Sequence, residues 1–368
     1  MLGLSDAPQR VLVAGNDHGG LNLLAPLLSR WAATSEIDAC FLGCRAAKRE
    51  MAFRVDGLRL VDLPEDPFAA GTADARDAVA RLAERLKREQ WRVVLTGTSL
   101  AASGEKLLWR AAAEANLPSL AYCDMWWGYR ERFSDENVEC LPDAVLALDA
   151  RMAREIHSLP WSTPLRVVEV GSTFFERLAE RQANVIERGG SGALRFVSEP
   201  ASTAFPAAGI DEFKIAESLI SATRATGTDR PIVIRPHPAE PVEPWRRFVW
   251  AKARLGVRLD TLPLDQTYAD TWAAVGISSI LLAEYAAAGI PSASFVTDAG
   301  DPAYLCLPFA SLGIARLSNT VDLARWLEAA PAPTPDLASH AGAADRVTSV
   351  VLAAHDVHAE TRPTVTML

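Results

Sequence analysis

Short apolar runs alternate along this chain with longer stretches whose apolar positions recur at helical spacing. Arg10–Ala14 (RVLVA), Ile37–Leu42, Leu58–Leu63, Arg92–Thr96 (RVVLT), Ser119–Tyr122, Ala144–Leu148 and Val167–Val170 read as strands. Between them Leu21–Ala33, Thr72–Gln90, Glu105–Asn116, Ala150–Ile156 and Phe174–Arg188 read as helices. The run Gly189-Gly190-Ser191-Gly192 breaks the pattern and is expected to link two halves, although a surface loop has the same composition. The alternation then resumes. Leu194–Val197, Pro231–Arg235 (PIVIR), Ala273–Gly276 and Pro291–Val296 read as strands. Asp211–Thr226, Pro244–Leu255, Ile280–Ala288, Val321–Ala329 and Leu337–His355 read as helices.

Strands that alternate with helices imply parallel sheets covered on both faces. The expected fold class is therefore α/β, with two Rossmann-like domains and a cleft between them. Residues 1–188 form the expected first domain and 189–335 the second. Residues 336–368 supply a helix that packs back on the first domain, followed by a frayed tail.

In such sheets ligands bind beyond the carboxyl ends of strands, so motifs at those ends carry the chemistry. Gly15-Asn16-Asp17-His18-Gly19-Gly20 follows the first strand and opens a helix. Its amides suit an anion or a polar substrate. The spacing is neither the dinucleotide-binding fingerprint nor a phosphate-binding loop ending in Lys-Ser/Thr. Asp17 and His18 are both candidates for a general base, His18 being slightly preferred for its near-neutral titration. Asp17 would serve equally well as a helix cap. Gly19 and Gly20 would leave room for an acceptor.

In the second half, Arg235-Pro236-His237-Pro238 closes the strand PIVIR, and its prolines hold His237 on a stiff turn. Arg235 offers a planar donor fork suited to phosphate. Ser278-Ser279 precedes a helix, where hydroxyls and free amides can hold a phosphate; an ordinary capping serine has the same signature. Glu284, on that helix, is a candidate partner for sugar hydroxyls. Together these residues describe a nucleotide phosphate site. A dense aromatic stretch, Cys123 to Phe133, lies at another strand end. Asp124, Trp126 and Tyr129 are its candidates for acceptor binding, by hydrogen bonds and stacking; a small packed core beneath the loop would use the same rings. The neighbouring Thr96-Gly97-Thr98-Ser99 could add hydroxyls.

Composition narrows the classes. The chain has 368 residues and a net charge of −9, which disfavours a nucleic-acid backbone binder. No apolar stretch reaches the ~18 residues of a membrane span. The start, MLGLSDAPQR, does not read as a signal peptide. The five cysteines form neither a disulfide framework nor a metal set, and Cys40 and Cys44 lack a second ligand pair. These features fit a cytoplasmic protein.

The His237-Pro238 and Ser278-Ser279 pairs resemble the HP and SS motifs of GT-B glycosyltransferases from bacterial surface-polysaccharide assembly, including capsule, sialic-acid and polyol-phosphate transferases. The run from Ser278 through Glu284 to Gly289 and Pro291 resembles that superfamily's helix followed by Gly-x-Pro. Val197-Ser198-Glu199-Pro200 is similar to the loop that opens its donor domain. The resemblance implies a metal-independent, inverting transfer from a nucleotide sugar to a carbohydrate or lipid-linked acceptor. His237 and the serines would contact the donor phosphate, and no cofactor is called for. Peripheral membrane contact is compatible with a lipid-linked acceptor. The chain lacks the acidic pair followed by Gly that supplies the base in sialyltransferases; His18 or Asp17 takes that place. Two alternatives share the architecture: a non-hydrolysing nucleotide-sugar 2-epimerase, whose Thr-Gly-Thr-Arg opening is missing here, and a non-catalytic nucleotide-binding assembly protein. A dehydrogenase is disfavoured by the missing fingerprint.

Overall fold

The computed structural model describes residues 8–62, 75–100, 104–135, 138–182, 192–204, 206–297, 305–354 and 358. The chain divides into two compact units, Met1–Arg177 with Ser339–Leu368, and Leu178–Ala338. Of the expected glycine linker at 189–192, residues 189–191 lie outside the described residues.

The first unit begins with β1 (Gln9–Ala14), α1 (His18–Thr34), β2 (Ile37–Leu42), α2 (Arg45–Arg54) and β3 (Arg59–Leu60). It continues with α3 (Ala75–Arg88), β4 (Val93–Thr96), α4 (Gly104–Ala115) and β5 (Ser119–Tyr122). A short α5 (Tyr129–Arg132) leads into the antiparallel pair β6 (Ser134–Asp135) and β7 (Val138–Glu139). Then come β8 (Ala144–Ala147), α6 (Ala150–His157), β9 (Arg166–Glu169) and α7 (Thr173–Gln182). Seven strands pair in the order β3-β2-β1-β4-β5-β8-β9, all parallel. The central strands read as unbroken apolar runs because helices cover both of their faces: β4, β5 and β8 are buried at every position. On one face Val79, Leu82 and Leu86 of α3 pack with Leu108 and Ala112 of α4 over Leu12 and Val94.

The second unit has β10 (Ala193–Val197), α8 (Ala201–Ala204), α9 (Glu212–Ala225), β11 (Ile232–Arg235), α10 (Val242–Lys252) and β12 (Val257–Leu259). After α11 (Leu264–Thr267) come β13 (Thr271–Gly276), α12 (Leu281–Ala287), β14 (Ser292–Phe295), β15 (Ala315–Leu317) and α13 (Thr320–Ala329). Its six parallel strands run β12-β11-β10-β13-β14-β15. The core gathers Phe196, Ile215, Leu219, Ile234, Trp245 and Phe295.

A final helix, α14 (Ala343–Leu352), belongs to the first unit. Trp31 of α1 is fully buried and donates its indole N–H to Thr348 Oγ1 at 2.9 Å. The Glu176 carboxylate accepts the amides of Gly342 and Ala344 at 2.7 and 2.9 Å, so it caps the open N-terminus of α14.

In both sheets the strand order reverses direction beside the first strand. That crevice lies between β1 and β4 in the first unit and between β10 and β13 in the second. It is where doubly wound sheets place their ligands.

Candidate functional site

At the first crevice, β1 ends at Ala14 and the chain turns through Gly15-Asn16-Asp17 into α1. Asp17 is the helix cap: its Oδ1 accepts the Gly20 amide at 2.9 Å. Close approach requires glycine at position 19 and leaves little room at position 20. A Cβ on Gly19 would stand 1.9 Å from Asp124 Oδ2, and one on Gly20 would meet the Gly97 Cα at 3.4 Å. The cap, the end of β4 and the end of β5 therefore converge on one spot.

That spot is a cluster of buried acids. Asp124 accepts from the Arg132 guanidinium at 2.7 Å and from the Thr98 hydroxyl at 3.2 Å. The Asp124 and Arg132 side chains are only 6 and 5% exposed. Arg132 is held in turn by the Thr98 and Trp127 carbonyls. Burial pushes the Asp17 carboxyl up to about 7, and the neighbouring Asp124 charge adds to the rise against the Gly20 amide and Arg132. Glu105, in the first turn of α4, is fully buried; burial also drives its carboxyl to about 7. It accepts the Ser99 hydroxyl at 2.6 Å. Its second oxygen, like the Asn16 side-chain oxygen, is buried without a hydrogen-bond partner among the described residues. Such oxygens are costly unless protonated or met by a ligand.

The two candidate bases separate. Asp17 sits inside the acid cluster. His18 points away from it, 69% exposed, and pairs with Glu50 of α2 at 3.0 Å. The aromatic candidates are corrected by their burial. Trp126 is 3% exposed, stacks on Phe175 and donates to Asp149 at 2.7 Å. Tyr129 is 8% exposed and donates to Glu155 at 2.8 Å. Both rings are interior packing against α6 and α7, so neither offers a face to a sugar. Thr96 is likewise internal, bonded to Gly97 O and Trp109. Asp124, Gly19 and Gly20 lie together, with Arg132 bonded to Asp124 and Glu105 bonded to Ser99. Arg132 carried no signal in the sequence, because it lies in a charged run whose register only the fold reveals.

In the second unit the crevice is lined differently. Gly276 ends β13 tightly against β10, where a Cβ would meet the Val197 carbonyl at 2.7 Å. This brings Ser278 to Glu199, whose carboxylate accepts both the Ser278 amide and, at 3.0 Å, its hydroxyl. Ser279 Oγ accepts the amide of Leu281, the first residue of α12, at 3.3 Å. His237 is exposed beyond β11. Its amide donates to Glu240 at 2.5 Å, and its Nδ1 accepts from the Ala239 amide at 3.1 Å. A ring whose Nδ1 accepts carries its proton on Nε2. Glu240 also receives Ser198 and Trp245, both at 2.9 Å. Burial pushes its carboxyl up while these donors oppose the rise.

Arg235 has internal partners. Its guanidinium donates to Asp260 at 2.7 Å and to the Leu262 carbonyl at 3.1 Å. Asp260 also holds the fully buried Arg195. Burial would raise the Asp260 carboxyl, but the Arg235 bond, the Leu262 amide and the two cations overcome it and hold it below its ordinary range. Arg235 thus joins an internal ion network through Nη1. Glu284 is half-buried and accepts the Tyr268 hydroxyl at 2.7 Å. Glu240, which orients the His237 turn, was legible in principle as an acid three positions after the histidine.

Among the described residues no helix is long and apolar enough to cross a membrane. No known family profile matches the sequence, and no curated protein does. Solved structures do resemble it in shape. The UDP-GlcNAc 2-epimerase of Neisseria meningitidis bound to UDP-GlcNAc has a TM-score of 0.61 at 12% identity, over 94% of this chain and 100% of that one. The UDP-GlcNAc 2-epimerase of Methanocaldococcus jannaschii scores 0.63 at 11% identity, over 94% and 99%. A glycosyltransferase from Rickettsia africae scores 0.55 at 11% identity, over 96% and 94%. The chain therefore has the two-sheet Rossmann-like fold shared by GT-B glycosyltransferases and UDP-GlcNAc 2-epimerases.

Proposed function

We propose that this protein is a nucleotide-sugar-dependent enzyme, and that it transfers the sugar to an acceptor hydroxyl in polysaccharide or glycoconjugate synthesis. The observation that carries this reading is Asp17, a carboxyl at the switch point of the first sheet that titrates near 7 beside Asp124. A base working at neutral pH is most effective with such a value. Asp17 takes the proton of the attacking hydroxyl, and the unpartnered Asn16 oxygen accepts a second acceptor hydroxyl. In the second unit the Nε2–H of His237 and the Ser279 hydroxyl bind the donor phosphate and stabilise its charge as it leaves. Ser278 acts through Glu199, which it fixes at the crevice. The transfer needs no metal, since fixed donors carry the charge.

A second reading, 2-epimerisation of the donor sugar, is supported by the paired acids. Asp17 and Glu105 both titrate near 7, and removal and return of a sugar proton needs two such groups. The epimerase structures of like fold point the same way. One experiment tests both: UDP-GlcNAc is incubated with the protein, with and without a panel of sugar acceptors, and products are followed by NMR. UDP release that depends on acceptor supports transfer. Appearance of the 2-epimer without acceptor establishes epimerisation in its place. Absence of any nucleotide binding by calorimetry, across the common nucleoside diphosphates, overturns both.

A further inference from the structure

His237 is exposed on its turn beyond β11, yet it is tied down as a buried residue would be. Its amide donates to Glu240 Oε2 at 2.5 Å, and its carbonyl accepts the Glu240 amide at 2.9 Å. Its ring Nδ1 accepts the Ala239 amide at 3.1 Å. Pro236 and Pro238 restrict the backbone on either side. Holding an exposed ring in one orientation costs entropy and brings no burial in return.

Glu240 is the source of that order. Its other oxygen, Oε1, accepts the Ser198 hydroxyl and the Trp245 indole N–H, both at 2.9 Å. Trp245 is 1% exposed and stacks on Phe213 with ring centroids 4.2 Å apart. Ser198 is fully buried, and its amide donates to the Arg235 carbonyl at 2.9 Å. One carboxylate thus fastens an exposed turn to the core of the second unit. The next residue makes the matching link on the other flank: Glu199 accepts the amide and hydroxyl of Ser278. The strand order places β10 between β11 and β13. The dipeptide Ser198-Glu199 at the end of β10 therefore braces the His-Pro turn on one side and the Ser-Ser turn on the other.

We propose that Glu240 is a positioning residue for the donor phosphate: it sets the His237 ring and, through Ser198-Glu199, fixes its place relative to Ser278-Ser279. This rests on the reading of His237 and Ser279 as the groups that hold that phosphate. A carboxylate does not attract an anion, so Glu240 acts through the groups it orients. Binding groups ordered in advance lose less freedom when the ligand arrives, and affinity gains by the difference.

The donor count supplies a selective variant. Three donors reach the two oxygens of Glu240. Glutamine has one accepting oxygen and an NH2 group that can only donate. In Glu240→Gln the oxygen stays with the buried Trp245 N–H, which has the most to lose. The NH2 group then faces the His237 amide, donor against donor. That amide lies on an exposed turn and can bond water instead, so the fold survives and the turn is released.

The test is calorimetry with UDP, GDP, CDP and CMP on wild type, Glu240→Gln, His237→Ala and the double variant, beside nitrogen-15 spectra of the histidine ring and thermal melts. Glu240→Gln should weaken the tightest of the four nucleotides about tenfold, while the melting temperature falls by only about 2–4 °C. The double variant should bind no more weakly than His237→Ala, because both changes act on one ring. The wild-type spectrum should show a hydrogen-bonded Nδ1, and Glu240→Gln should lose it. Wild-type affinity in Glu240→Gln, with His237→Ala weakened, overturns the proposal and leaves the donor site standing. Additive losses in the double variant overturn it as well, since Glu240 would then act apart from His237. Unchanged affinity in His237→Ala, or no binding of any of the four nucleotides by wild type, overturns the donor-site reading itself. Should Glu240→Gln fail to fold, Ser198→Ala decides, because it cuts the link to β10 alone: a loss of about threefold or more supports the brace, and unchanged affinity overturns it.

Discussion

The two crevices occupy the same place in two similar sheets and are built on opposite electrostatic plans. In the second unit each carboxylate is met by donors. Asp260 has two guanidinium groups, Glu240 has two side chains and an amide, and Glu199 has an amide and a hydroxyl. In the first unit donors are scarce. Asp124 has one guanidinium and one hydroxyl, Asp17 a single amide and Glu105 a single hydroxyl, and two side-chain oxygens have no partner among the described residues. A surplus of donors fixes geometry and suits binding. A deficit leaves protons on carboxyls at neutral pH and suits proton transfer.

The sharpest way to break this contrast is to remove an acid from each side. Asp17→Asn keeps a good helix cap, so the fold should survive while kcat falls by about 10²–10⁴. Steady-state rates beside a thermal melt check both halves of that statement. Asp260→Asn should do the reverse. It leaves the buried Arg195 with only the more distant, half-exposed Asp270 as counter-charge, and stability measured by urea unfolding should drop by about 3 kcal/mol.

The pH dependence of stability separates the units further. Asp17 and Glu105 have folded values near 7, above those of ordinary carboxyls. Between about pH 4 and 7 the unfolded chain has released these protons and the folded one retains them. Stability contributed by the pair is therefore complete below the unfolded values and is lost as pH rises through the folded values, by up to a few kcal/mol in total. The lowered Asp260 behaves oppositely, stabilising above its unfolded value and losing that contribution as acid is added through its folded value. Urea midpoints between pH 5 and 8 should thus fall in wild type and flatten in Asp17→Asn/Glu105→Gln. Gly19→Ala forces a methyl onto the Asp124 carboxylate and should cost about tenfold or more in kcat, because misplaced catalytic groups are penalised steeply. The smallest effect is expected from His237→Ala. An exposed ring contributes little to folding, so the melt should be unchanged while nucleotide affinity falls by about tenfold, one charge-assisted hydrogen bond.

The buried strands were legible because parallel strands covered on both faces show as unbroken apolar runs; Ile37–Leu42 and Ser119–Tyr122 match their predicted limits. The polar helix α2 was not, since only Ala47 and Met51 of its ten residues are buried and no stripe marks it. The edge strands β12 and β15 are short and half exposed, which erased the alternation that would have announced them. Leu58–Leu63 shrinks to two paired residues, Arg59 and Leu60, for the same reason. At the site, the glycine-rich turn and the His-Pro and Ser-Ser pairs declared themselves by lying at strand ends. The aromatic stretch misled. Trp126 and Tyr129 anchor their polar tips on Asp149 and Glu155, acids some twenty residues further on that no local pattern connects to them. Arg235 misled similarly, because its partner Asp260 is brought in by the β11–β12 pairing.

The helix α14 adds a consequence of a different kind. The helix and its cap carry the partner of Trp31 and the amides that satisfy Glu176, so a first unit emerging from a ribosome lacks both until residues 342–348 have been made. The second unit is continuous in sequence and faces no such delay. Synthesis thus orders assembly. The later-made half can finish first, and the first unit becomes complete only when residues 343–352 arrive to close it.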